Sequence, residues 1–97
     1  MPKYVVLVNF TAQGMKTIKD LPKRGRGGRE AIERAGGKLL DWNLTMGPYD
    51  AVVIVEGPDD ATMAAVGLAM GSQGDIRTTT LKAFTEAEMA KIVGKLR

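Results

Sequence analysis

The 97 residues contain no histidine and no cysteine, which excludes disulfide frameworks, thiol nucleophiles, Cys/His metal centres and every catalytic triad that needs an imidazole. A hydrophobic share of 44% with 26% charged residues is ordinary for a globular chain, and the length suits one domain, 1–97, with one core. The net charge of +3 is unevenly spread: residues 16–38 hold eight basic side chains against three acidic ones, leaving −2 for the remainder.

The N-terminus passes from Met1-Pro2-Lys3 directly into an apolar run, with no charged and apolar leader and no stretch of membrane-spanning length, so a cytoplasmic protein without a membrane partner is expected. Tyr4 to Thr11 is a nearly continuous run of β-formers, the pattern of a central strand covered on both faces. Gln13-Gly14 ends it. From Met15 the period changes, and Ile18, Leu21, Gly25, Gly28, Ile32 and Ala35 form one helical stripe. Pro22 should kink or restart this helix, the glycines at 25, 27 and 28 should weaken it, and Gly36-Gly37 should close it.

Lys38 to Leu44 predicts a second strand. Gly47-Pro48 is turn chemistry, and Tyr49 to Val55 predicts a third strand. A two-residue turn at Met46-Gly47 would set Asn43 opposite Asp50 and Asp41 opposite Val52. Leu40, Trp42, Leu44, Tyr49, Ala51, Val53 and Val55 would then share the face under the helices, and Asp41, Asn43, Asp50, Val52, Ile54 and Glu56 a mixed face. Gly57-Pro58-Asp59 starts a second helix, Asp59 to Gln73, closed by Gly74. That helix has no charged residue between Asp60 and Asp75, which predicts burial on more than one side. A fourth strand from Ile76 to Leu81 and a short helix capped by Thr85 and Glu88 follow, the latter with Met89, Ile92, Val93 and Leu96 on one side. The order β-α-β-β-α-β plus a terminal helix is the α+β, ferredoxin-like arrangement of a four-stranded antiparallel sheet with both helices on one face.

Gly47, Tyr49 and Asp50 resemble the glycine, tyrosine and aspartate that give the GYD-domain family its name. Supporting features are the Tyr4-to-Thr11 strand, Gln13-Gly14, Gly36-Gly37, Pro58-Asp59, Gly71-Ser72, Gly74, Arg77-Thr78 and Phe84. The resemblance covers almost the whole chain, and the glycine-rich piece Arg24 to Arg29 departs from it. It implies a ferredoxin-like fold close to the dimeric α/β-barrel group, in which two sheets face one another, and it implies no particular activity.

Asp50, with Asn9 and Arg77 at matching parity, would line a polar pocket beneath a facing subunit and bind a small organic ligand there. The competing role for Asp50 is structural, accepting hydrogen bonds from backbone amides around the Gly47-Pro48 turn. Tyr49 reads as a packed ring with a satisfied hydroxyl. Arg24 to Arg29 matches neither a dinucleotide fingerprint nor a P-loop, and aromatic stacking residues are few, so a solvated basic surface is expected and nucleic acid is not an expected partner. Asp59-Asp60 is explained by a helix N-terminus without a metal, and nothing calls for a cofactor. Three functional classes stay open: a small oligomeric module binding a ligand or partner without chemistry of its own, a cofactor-independent oxygenase or isomerase, and an anion or nucleic-acid binder using the basic first helix. The absence of histidine and cysteine favours the first. The apolar mixed face around Val52, Ile54 and Leu7 predicts a homodimer or larger assembly.

Overall fold

The computed structural model describes residues 1–97. Strand β1 (Lys3–Phe10) is followed by a short helix α1 (Ala12–Lys16), a 3₁₀ turn at Ile18–Asp20 and helix α2 (Leu21–Arg34). Then come β2 (Lys38–Leu44), β3 (Ala51–Glu56), α3 (Asp60–Ser72), β4 (Ile76–Ala83) and α4 (Glu86–Val93). The strands lie in the order β2-β3-β1-β4 with every neighbouring pair antiparallel. This α+β arrangement is compatible with a ferredoxin-like fold.

The first helical region is split as its sequence requires. Pro22 sits in the first turn of α2, where its missing N–H leaves no hydrogen bond unmade, and the chain restarts there after the 3₁₀ turn. Beyond that restart, α2 runs continuously through Gly25, Gly27 and Gly28. Asp59 caps α3 by accepting from the Thr62 amide at 2.7 Å, and Thr85 and Glu88 form a reciprocal capping box on α4.

Tyr4 and Val8 of β1 pair with Val55 and Ala51 of β3, and these side chains join Val53, Leu39 of β2, Ile32 of α2 and Met63 of α3 in the core. The helices α2 and α3 therefore cover the same face of the sheet. On the opposite face Val5, Leu7 and Asn9 pair with Ile54, Val52 and, on the other side, Leu81, Thr79 and Arg77. No element of the chain covers that face, so β1 is central but shielded on one side only, not on both as its apolar run predicts.

Two further expectations are corrected. The β2–β3 connection is the six-residue loop 45–50, closed by the Thr45 N–H donating to the Asp50 carbonyl at 2.9 Å, not a two-residue turn. Asn43 consequently pairs with Val52 rather than Asp50. The shift is by two residues, so parity survives and Trp42, Val53 and Val55 keep their face. A register irregularity between Leu39 and Asp41 then swaps the neighbours: Leu39 takes the core position, and Leu40 is left 43% exposed. Tyr49 falls in the loop, on the surface, instead of in the strand under the helices.

The expected burial of α3 on several sides is also absent within the chain. Met63 is buried, while Ala61, Ala64, Ala65, Leu68 and Ala69 are exposed, Leu68 by 77%. Helix α4 makes no substantial contact with any other element, and all its residues are exposed. It helps stretch the molecule to 52 Å, with a radius of gyration of 14.6 Å against about 13 Å for a compact chain of this length.

Candidate functional site

The three polar residues singled out from the sequence come together at one end of the uncovered sheet face. Asn9 and Arg77 are direct partners across β1 and β4, and Asp50 lies next to Ala51, the partner of Val8. Two of the three are engaged with backbone. Asn9 Nδ2 donates to the Pro48 carbonyl at 2.8 Å, and Asp50 Oδ2 accepts from the Phe10 amide at 2.8 Å. Asp50 thus reaches across to the end of β1 rather than to amides of its own turn, and its N–H also donates to the Val8 carbonyl at 2.8 Å. Gly47 has φ of +114°, a conformation that side chains disfavour, which accounts for glycine at that position. The Tyr49 carbonyl accepts from Thr45 Oγ1 at 2.6 Å. Gly47, Tyr49 and Asp50 therefore build one loop and fasten it to β1.

A second cluster joins β1, α3 and β4 and carries no motif that periodicity alone reveals. Tyr4 Oη and Lys82 Nζ both donate to Asp60 Oδ1, at 2.5 and 2.7 Å, and the ammonium lies 5.2 Å from the tyrosine ring centre. The hydrogen bonds from Lys82 and Tyr4 hold the Asp60 carboxyl below its ordinary range. The same carboxylate pushes Tyr4 and Lys82 above theirs. Near neutral pH tyrosine and lysine stay protonated and aspartate stays ionised, so no member is poised to exchange a proton. The cluster is a clamp that pins the α3 N-terminus to the sheet.

On the helix side, α2, α3 and the sheet line a mainly apolar, partly open cavity of about 390 Å³, reached by Arg24 from α2 and Asp75 from the start of β4. Arg24, expected on the solvated basic surface, instead turns its side chain inward toward Asp75, at 3.8 Å. The available signal was spacing: Arg24 stands three after Leu21 and four before Gly28, inside the apolar stripe. Lys23, Arg26, Arg29 and Arg34 do stay on the surface. No group of three acidic or imidazole or thiol side chains is arranged to hold a metal ion, and no helix is long and apolar enough to cross a membrane.

The surface is the other prominent feature. Six of the thirteen large exposed apolar side chains lie between Leu81 and Leu96, so the C-terminal arm is apolar out of proportion to its length. Apolar patches of this kind mark interaction surfaces in globular proteins.

A four-stranded antiparallel sheet with one uncovered apolar face, two helices on the other and a tightly hydrogen-bonded polar loop defines the class, a small α+β module. A family model described as "GYD domain" matches residues 4–93, and the chain belongs to that family. It is similar to a protein of Thermus thermophilus called "Glutamine synthetase and cystathionine beta-lyase binding protein", 34% identical over 90 residues that cover 92% of this chain and 95% of the relative.

Proposed function

We propose that this chain is a non-catalytic, homo-oligomeric module that docks on a metabolic enzyme of the glutamine synthetase or cystathionine β-lyase kind. The observation that carries the reading is α3, whose outer face of Ala61, Ala64, Ala65, Leu68 and Ala69 is exposed and bears no charge. A helix facing water normally carries a polar face. Small residues around one protruding leucine suit close docking against another protein, and the partner class follows from the name of the Thermus relative.

The uncovered sheet face belongs to a second copy, which makes the assembly a dimeric α/β barrel. Val52, Ile54 and Leu7 occupy its middle, with Lys3, Glu56 and Arg77 toward its margins. Burying three such side chains contributes roughly 1.5–3 kcal/mol each, and a two-fold contact lets one patch serve both partners. Helix α4 joins the same assembly: eight residues are too few for a stable isolated helix in water, so its Met89, Ile92 and Val93 stripe needs a neighbouring copy. A cytoplasmic setting, where such enzymes act, accords with a chain free of cysteine.

The test is co-elution and calorimetry with purified glutamine synthetase and cystathionine β-lyase of the same source. Micromolar or tighter binding to either enzyme is expected, with Leu68→Glu abolishing it while the melting temperature stays within a few degrees of the parent. If neither enzyme binds, or if Leu68→Glu binds like the parent, the docking reading is wrong.

A further inference from the structure

The cavity under the helices is created by the sequence of α2. Where that helix faces the sheet it presents Gly25 and Gly28. A Cβ at Gly25 would meet nothing within 4 Å, and one at Gly28 would meet only Met70 Cε, at 3.8 Å. Protein interiors are ordinarily filled to crystal-like density. Here about 390 Å³ stays open above Val6, Val53 and Ile76, within the range of roughly 300–1,000 Å³ typical of small-molecule pockets.

Arg24 stands in the wall of this space. Its Nη1 lies 3.5 Å from Thr17 Oγ1 and 3.8 Å from Asp75 Oδ2. Asp75 is itself held from the far side, its Oδ1 accepting from Gln13 Nε2 at 2.9 Å. Nε and Nη2 of Arg24 are sealed from solvent and have no acceptor in the protein. Unpaired buried polar nitrogens are costly and uncommon. These two, moreover, form one edge of the guanidinium, the edge that grips a carboxylate with two parallel hydrogen bonds.

We propose that the cavity binds a small organic carboxylate with an apolar body. The carboxylate accepts from Nε and Nη2 of Arg24, whose flexible stem swings the edge to meet it, and the hydrocarbon fills the space under Gly25 and Gly28. Arg24 and Arg34 balance Asp75 and Glu30 in the lining, so the space as a whole carries no net charge; selectivity for an anion thus rests on the Arg24 edge. The site is separate from the α3 outer face, so its test is made on the isolated chain and does not depend on enzyme docking.

The probes are decanoate, with decanol and decylamine as neutral and cationic counterparts of equal length, titrated into ¹⁵N-labelled protein. Decanoate is expected to bind saturably, to shift amides of α2, α3 and β1, and to raise the melting midpoint. Arg24→Leu should weaken it at least tenfold, Arg24→Lys should restore part of the loss, and Gly25→Leu should abolish binding by filling the space. Arg24→Leu removes two unpaired buried N–H groups together with the Asp75 contact, and Asp75 keeps its hydrogen bond from Gln13; should the variant not fold, Arg24→Lys and Gly25→Leu decide the matter. Decanol or decylamine binding as tightly as decanoate, parent-like binding by Arg24→Leu, shifts confined to Val5, Leu7, Val52 and Ile54, or no saturable binding at millimolar decanoate would each overturn the proposal.

Discussion

Replacing Asp50 by alanine removes the acceptor of the Phe10 amide while leaving both backbone hydrogen bonds of residue 50 in place. A hydrogen bond to a charged group contributes about 1.5–3 kcal/mol. This one is part-buried, so water replaces some of it, and the expected loss is about 1–2 kcal/mol. For a chain of this size that lowers the melting temperature by roughly 4–16 °C. Asp50→Asn keeps an acceptor oxygen without the charge and should lose about half as much. Urea unfolding of parent and both variants at one protein concentration is the assay, since self-association makes apparent stability depend on concentration. If Asp50→Ala unfolds like the parent but loses a ligand or partner, the carboxylate is a binding group and the structural account fails.

Gly27 is exposed within α2 and an added Cβ meets nothing within 4 Å, so Gly27→Ala should stabilise the chain by about 1 kcal/mol, read as a higher urea midpoint with unchanged slope. Ile54→Glu places a charge in the middle of the uncovered sheet face and should yield a folded 10.4 kDa monomer in sedimentation equilibrium; an unchanged assembly would show that a different surface holds the copies together. The depressed carboxyls of Asp59, Asp60 and Glu88 contribute stability that is present above their unfolded values and lost as pH falls through the lower folded ones. The raised Tyr4 and Lys82 contribute below their unfolded values and lose it as pH rises through the folded ones. The melting temperature should therefore fall below about pH 4 and above about pH 10; Asp60→Asn should flatten both limbs, and a profile unaffected by that change would show that the Tyr4–Asp60–Lys82 clamp contributes nothing.

Local chemistry alone was enough for much of this protein. The alternation of Ala51, Val53 and Val55, the restart at Pro22 and the caps at Asp59 and Thr85 each depend on neighbours a few residues away, so strand parity and helix starts could be read directly. The loop of the family motif was legible as a turn for the same reason, although its length was not. What tertiary structure decided was every question with two distant answers. The irregularity that buries Leu39 and exposes Leu40 depends on how β2 meets β3. The carboxylate of Asp50 serves an amide forty positions away. Arg24 turns inward because Asp75 waits at the start of β4 and because Gly25 and Gly28 leave space beside it. The chargeless pattern of α3 shows that its faces are apolar, but only the packing of the sheet determines which of them is covered by this chain and which is left for another.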